Sequence, residues 1–450
     1  MTITSIDRRL FLRGSLAGLL AGAGLAAGAG LAGGGRALAG RPDAAGIRPA
    51  KRCVVLFMNG GPSQIDTFDP KPGRANGGEF EAIGTSLSGL RISEHLPQLA
   101  ERMDRLSLIR SLSAKEGNHD RARYLMHTGF APQGGVEHPG LGTHLARRLD
   151  ALRQGSAPSD LPRQVSLNGP GAGPGYLGAR WSTFAVPNAS KAVRNLAPPL
   201  DLGRAREDRR VALWRELEQG FAAEHQSARV EGARAVGEQA VAMSSAAELA
   251  AFDLSREREQ TRARYGIAST GADTVNAGMG GRGQRGSFAA GCLMARRLLE
   301  AGVDYVEVGM RGWDTHEDNF NRVRTLSGEL DMAASALIDD LVASGLWSET
   351  LLVWVGDFGR TPRINARGGR DHFPKISAVL LGGGPIRAGQ VVGETDVDGQ
   401  EIRERPVSVP ELFATLATAT GIEGGEVHVT PAGRPVTTVD EAGKVIPEVL

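Results

Sequence analysis

The sequence predicts an α/β protein, a mostly parallel sheet covered by helices on both faces. Two observations lead there. From residue 288 onward, helical and strand-like segments alternate, the pattern of strands joined by crossover helices. After their first residue the strand-like runs 52–58 (RCVVLFM) and 350–356 (TLLVWVG) carry no polar side chain, as befits strands buried on both faces. A third observation concerns function: three of these strands run straight into clusters of Asp, Asn and His.

Taken in order, 52–58 is a strand, and the Gly- and Pro-containing stretch 59–73 is the loop at its carboxyl end. Residues 95–106 have helical spacing, 106–112 (LSLIRSL) form a short strand, and NHDRARYLMHTG enters a helix that stops at Gly129. PRQVSL is a further strand, followed by a glycine- and proline-rich loop. Between about 200 and 265 the chain turns charged, Ala-rich and helix-periodic, which predicts an inserted helical pair, and a flexible glycine-rich link follows it. A helix at 288–301 then leads to the strand 303–310, a helix at 325–345 to the strand ending at Asp357, and a strand at 377–384 precedes a helix at 408–421.

With 450 residues, 41% of them hydrophobic, the chain can bury a large core, and its net charge of +1 gives no support for a surface that binds nucleic acid or an anionic membrane. Residues 1–39 read as a twin-arginine export signal: Arg8-Arg9, then Leu10-Phe11-Leu12-Arg13, a long Ala/Gly/Leu run, and the small-x-small pattern Ala37-Leu38-Ala39. The run is also long enough for a membrane anchor, although its Gly and Ala content makes it weakly apolar. On the first reading the mature protein is periplasmic or extracellular and has no membrane span after cleavage. Cys53 and Cys292 are the only cysteines, so a cysteine-based zinc site is excluded, and two buried thiols are the simplest expectation.

In open α/β sheets ligands bind in the loops beyond the carboxyl ends of the strands. The first such loop carries Asn59, Ser63, Asp66 and Asp69; the second Asp314, His316, Glu317 and Asp318; the third Asp357, then Asp371 and His372. Carboxylate oxygens with imidazole nitrogens make a ligand set for a divalent metal, zinc first, with manganese, calcium or magnesium as alternatives. Each cluster also has a plainer reading: Asp314 as a helix cap, Asp357 as an Asx turn, His372 as a loop histidine. Arg360, Arg363, Arg367 and Arg370 add cations that would grip a phosphate or sulfate if turned inward and solvate the surface if turned outward.

VVLFMNGGPSQIDTFDPKPG, NHDRARYLMHTG, GWDTHEDNF and GDFGRTPRINARGGRDHFP together resemble the DUF1501 family, bacterial secreted proteins placed within the alkaline phosphatase and sulfatase superfamily. The resemblance covers about 50–440. It implies an alkaline-phosphatase-like three-layer sandwich with metal ligands on the strand-end loops, and with the Asp-His clusters the leading expectation is an exported metal-dependent hydrolase of phosphate or sulfate esters, acting on a small-molecule or polymeric substrate. A non-catalytic binding or assembly protein on the same fold is the alternative. On this resemblance Asp314 and His316 match one metal-binding pair, Asp357 the ligand of a second metal, and His372 the last ligand. Phe358 stands where a histidine usually follows, with Asp371 as a substitute, and Asn59 stands where the first strand usually ends in an acid, unless Asp66 supplies it. The nucleophile position, four residues before Arg123, holds His119 in place of Cys or Ser, which puts the usual sulfatase chemistry in doubt. The expectations are therefore His119 as catalytic group, Asn59, Ser63, Arg123 and Arg360 on the substrate, and Asp66, Asp314, His316, Asp357, Asp371 and His372 on metal. His127, His138 and His144 surround the nucleophile-like helix as supporting groups, and His95, His225 and His428 are structural or exposed.

Overall fold

A computed structural model describes residues 46–153, 160–196, 203–267 and 286–450. The chain divides into two units, Met1–Gly46 and Ile47–Leu450. The expected export signal and the glycine-rich link lie outside the described residues.

The second unit is built on a nine-stranded sheet. Its strands are β1 Arg52–Met58, β2 Leu106–Ser113, β3 Gln164–Leu167, β4 Phe184–Val186, β5 Tyr305–Met310, β6 Thr350–Gly356, β7 Ser377–Gly382, β8 Val391–Val392 and β9 Val407–Ser408. The spatial order is β8-β2-β7-β6-β1-β5-β3-β4, with β9 beside β2. All neighbours run parallel except β7, which is antiparallel to both β2 and β6. The expected mostly parallel α/β sheet is present. The reversed strand was not legible, because an apolar run carries no direction.

The unbroken apolar composition of β1 is explained by its two buried faces. Val54, Leu56 and Met58 join one core cluster; Cys53, Val55 and Phe57 join the other. Helices α5 (Ser287–Glu300) and α6 (Asn319–Ala343) cover the first face. Helices α1 (His119–Thr128), α2 (Leu141–Leu152) and α7 (Val409–Ala419) cover the second. Between them in sequence come two helices with few buried residues, α3 (Arg204–Glu224) and α4 (Ala228–Ser244). Cys53 and Cys292 are free and buried, in opposite core clusters.

Two boundaries differ from expectation. Within 95–106 only Pro97–Ala100 is α-helical, and a 3-10 turn at Met103–Arg105 turns the chain into β2. The short helix is held from outside itself: Asp331 of α6 accepts the Gln98 and Leu99 N–H groups at 3.0 and 2.7 Å. Helix α6 begins at Asn319 rather than near 325, because the Asp318 and Asn319 N–H groups bond back to the carbonyls of Arg367 and Gly368.

Candidate functional site

Strand β1 lies between β5 and β6, in register such that Met58 is level with Met310 and Gly356. Their carboxyl ends therefore deliver Asn59, the Asp314 loop and Asp357 to one place. Gly60 lets them close up. Its φ is +108°, and a Cβ there would sit 2.5 Å from the Asp314 nitrogen, a position open only to glycine. Its N–H donates to Asp357 Oδ2 at 2.9 Å.

Two further segments complete the cluster. Asn118 caps α1, its side chain accepting from the Asp120 and Arg121 N–H groups, and so sets His119 at the start of the helix. A two-strand ribbon pairs Gly359–Arg360 with His372–Phe373, placing His372 directly opposite Arg360, so their side chains share a face.

Three histidines converge on one carboxylate oxygen. Asp314 Oδ1 lies 3.5 Å from His119 Nε2, 3.1 Å from His316 Nε2 and 3.3 Å from His372 Nε2. Each ring is anchored by its other nitrogen. His119 Nδ1 donates to Asp357 Oδ2 at 2.8 Å, His316 Nδ1 to Asp371 Oδ1 at 2.8 Å, and His372 Nδ1 to the Gly117 carbonyl at 2.8 Å. A carboxylate or carbonyl only accepts, so each Nδ1 carries a proton and each ring turns its Nε2 inward, where the neutral form of the ring offers a lone pair. His316 and His372 thus bring Nε2 atoms within 3.0 Å of each other. His119 Nε2 and Asp357 Oδ1 are buried without a hydrogen-bond partner. His119, Asp314 and His372 offer ligand atoms all within 4.8 Å of one another.

Three inward Nε2 atoms around a carboxylate are a donor set that suits a zinc-like ion. The site is open on one side: Asp314 keeps 45% of its side chain exposed, and the three rings 28–34%. Burial works against the Asp314 charge, but Arg360 and the neighbouring rings outweigh it and hold the carboxyl at about 2. The hydrogen bond to Asp357 raises the His119 pKa, with burial opposing it. Burial lowers that of His372, and the bond from His316 lowers that of Asp371.

Several expected site residues do other work. The Arg360 side chain is wholly buried, donating to Asp314 and to the carbonyls of Gly60 and Gly61. It braces the loops instead of offering itself to a substrate. Asp66 is equally buried. Arg370 engages both its oxygens, at 2.8 and 3.0 Å, and Asn319 donates to one of them at 2.8 Å, so this carboxylate ties two loops together and has no oxygen free for a metal. Ser63 is buried, its hydroxyl accepting the Asp66 N–H at 3.3 Å in a local turn. Asn59 turns back, donating to the Phe57 carbonyl at 3.2 Å. Arg123 pairs with Asp120 on α1. Asp314 does not cap α6, whose cap residue is Asp318. Asp357 and Asp371 meet the cluster through the His119 and His316 rings they hold.

Sequence reasoning missed Glu307. It sits in the middle of β5, 4% exposed, and accepts from His127 Nε2 at 2.9 Å and from the Tyr305 hydroxyl at 3.1 Å. The signal was available: a lone Glu inside an unbroken apolar strand must have a buried partner.

Fold and cluster define an α/β protein with a histidine–carboxylate site at the strand ends. Residues 50–450 match the family model described as "Protein of unknown function (DUF1501)", and the chain belongs to that family. No curated protein matches it. Among solved structures it is similar to a protein in the alkaline phosphatase superfamily from Vibrio parahaemolyticus (12% identity over 84% of this chain and 67% of that one, TM-score 0.37). It is similar also to the PsFucS1 sulfatase from Pseudoalteromonas sp. (12%, 83% and 68%, TM-score 0.39). A third is the lipoteichoic acid synthase LtaP from Listeria monocytogenes (8%, 89% and 76%, TM-score 0.39).

Proposed function

We propose that the protein is an exported, metal-dependent hydrolase of phosphate or sulfate esters. The observation that carries the reading is the convergence of three anchored Nε2 lone pairs on Asp314 Oδ1. His119, His316, His372 and Asp314 would hold the ion, zinc being the first choice for this donor set. When bound, such an ion supplies Lewis acidity toward an ester oxygen and makes water a nucleophile at neutral pH. The chain's own part is orientation. Asp357, Asp371 and the Gly117 carbonyl fix the protonated nitrogen of each ring, and buried Arg360 holds the Asp314 loop against Gly60 and Gly61. Asp357 Oδ1, left without a partner, remains available as a further ligand or proton acceptor. Export rests on the twin-arginine pattern at Arg8-Arg9. Among the described residues no helix is long and apolar enough to cross a membrane.

One observation favours a second reading, a binding protein that keeps the metal without turnover. The residue in the nucleophile position, His119, has its ring tied to Asp357 and turned into the cluster. The purified protein assayed on an aryl phosphate and an aryl sulfate separates the two. Hydrolysis that falls at least about 10²-fold in His119→Ala, with folding intact, supports the enzyme. A metal-loaded protein inert toward both esters supports the binding protein.

A further inference from the structure

The pair His127–Glu307 is buried on both sides, the side chains being 9% and 6% exposed, yet it does not touch the cluster. Its charge state follows from its partners. His127 Nδ1 faces the Arg123 carbonyl at 2.7 Å and Nε2 faces the Glu307 carboxylate at 2.9 Å. With Glu307 ionised both partners are acceptors, so both ring nitrogens carry protons and the ring is an imidazolium, the direction in which each group moves the other's pKa. It lies in the last turn of α1, where the helix dipole favours a cation, and it stacks on Phe57 of β1 with centroids 4.6 Å apart. An ion pair inside a core is an expensive way to fill space, and its position suggests what it does.

His119 opens the helix that His127 closes, about two turns away along one rigid rod. Glu307 lies on β5, level with Val55 of β1. The same two strands run on to Asn59 and to the Asp314 loop. We propose that the His127–Glu307 pair is the positioning element of the site. By clamping α1 to β5, it sets where His119 Nε2 stands relative to Asp314. This deepens the proposed function, since it takes His119 to be part of the site.

Because that reading could fail separately, the first readout needs neither metal nor turnover. It is the His119 Nδ1–H resonance, held by the hydrogen bond to Asp357, in metal-free protein with nitrogen-labelled histidine. The comparison uses Glu307→Gln, which leaves the imidazolium without a counter-ion, and Glu307→Asp, which keeps the charge but shortens the reach and so preserves a folded protein if the first variant is too unstable. Asp304→Asn is the control. Asp304 precedes β5, is 1% exposed and takes a bidentate bond from the partly exposed Arg153 at 2.7 and 2.8 Å, so it is a buried, ion-paired carboxylate of the same strand region away from the site. The expected result is a resonance shifted or lost to exchange in both Glu307 variants and unchanged in Asp304→Asn. Zinc affinity by chelator competition should follow it, at least about 10-fold weaker in the Glu307 variants alone. An unmoved His119 resonance in a folded Glu307 variant, or an equal change in Asp304→Asn, would overturn the proposal. Absence of ester hydrolysis in the unaltered protein would bear on the proposed function and leave this result standing.

Discussion

His119 Nδ1 donates to Asp357 Oδ2 across 2.8 Å, and the same carboxylate oxygen accepts the Gly60 N–H at 2.9 Å. One carboxylate at the end of the central strand thus fixes both the tautomer of the helix-borne histidine and the turn that admits the Asp314 loop. Asp357→Asn preserves the shape but offers an amide donor in one of its two orientations, which removes the preference for protonated Nδ1. Metal affinity is expected to fall by about 10- to 100-fold, measured by chelator competition. Affinity equal to that of the unaltered protein would show that Asp357 does not orient the ring.

Gly60→Ala should damage stability and site together. A Cβ at Gly60 meets the Asp314 backbone nitrogen at 2.5 Å on a residue with φ +108°, and strain of this kind costs roughly 1–3 kcal/mol. Gly345, with φ +75° and nothing within 4 Å of its Cβ position, provides the control. Gly345→Ala is expected to lower the thermal midpoint with metal affinity unchanged, whereas Gly60→Ala lowers both. Equal metal affinity in the two variants would remove Gly60 from the account of the site.

The Asp66–Arg370 pair should behave as architecture. Both side chains are fully buried, so Asp66→Asn strands a cation and is expected to cost about 3–5 kcal/mol in denaturant unfolding. Metal bound per folded chain should stay as it was. Loss of metal with little loss of stability would return Asp66 to the ligand set first expected of it.

What could be read from the sequence was whatever is local in it. The apolar runs that end on Asn59 and Asp357, and the Gly129 stop of the helix that carries His119, mark their own ends, and the structure brings the strand ends together. What could not be read depends on long-range pairing. Arg360 and Arg370 stand in the same basic loop as the exposed Arg363 and Arg367. Only their meeting with Asp314 and with Asp66, 304 residues from Arg370 along the chain, shows that they turn inward. The carboxylates that draw them inward lie far from them along the chain. His316 and His372 were legible as metal-type residues, but the anchoring of each ring by Asp371 and by the Gly117 carbonyl was not, since it depends on where a turn places a backbone oxygen.

Stability should carry a pH signature of the His127–Glu307 pair. Burial alone would depress the His127 pKa, yet Glu307 outweighs it and the value is raised above 6.5. Burial alone would raise that of Glu307, yet His127 outweighs it and the value is lowered below 4.5. A raised histidine contributes stability in full below 6.5 and loses it as pH climbs through the folded value. A lowered carboxylate contributes above 4.5 and loses it as pH falls through the folded value. The advantage of the unaltered protein over Glu307→Gln in thermal midpoint should therefore be greatest between these limits and narrow on both sides. A difference independent of pH would mean that the pair is not ionised.

His119, Asp314, His316 and His372 are expected to hold one divalent metal together. Elemental analysis of the purified protein beside Asp314→Asn and His372→Ala tests it most directly. The expected result is a stoichiometric divalent metal, zinc foremost, in the unaltered protein and its loss from both folded variants. A protein that stays metal-free after equilibration with zinc, or variants that retain the full complement, would contradict it.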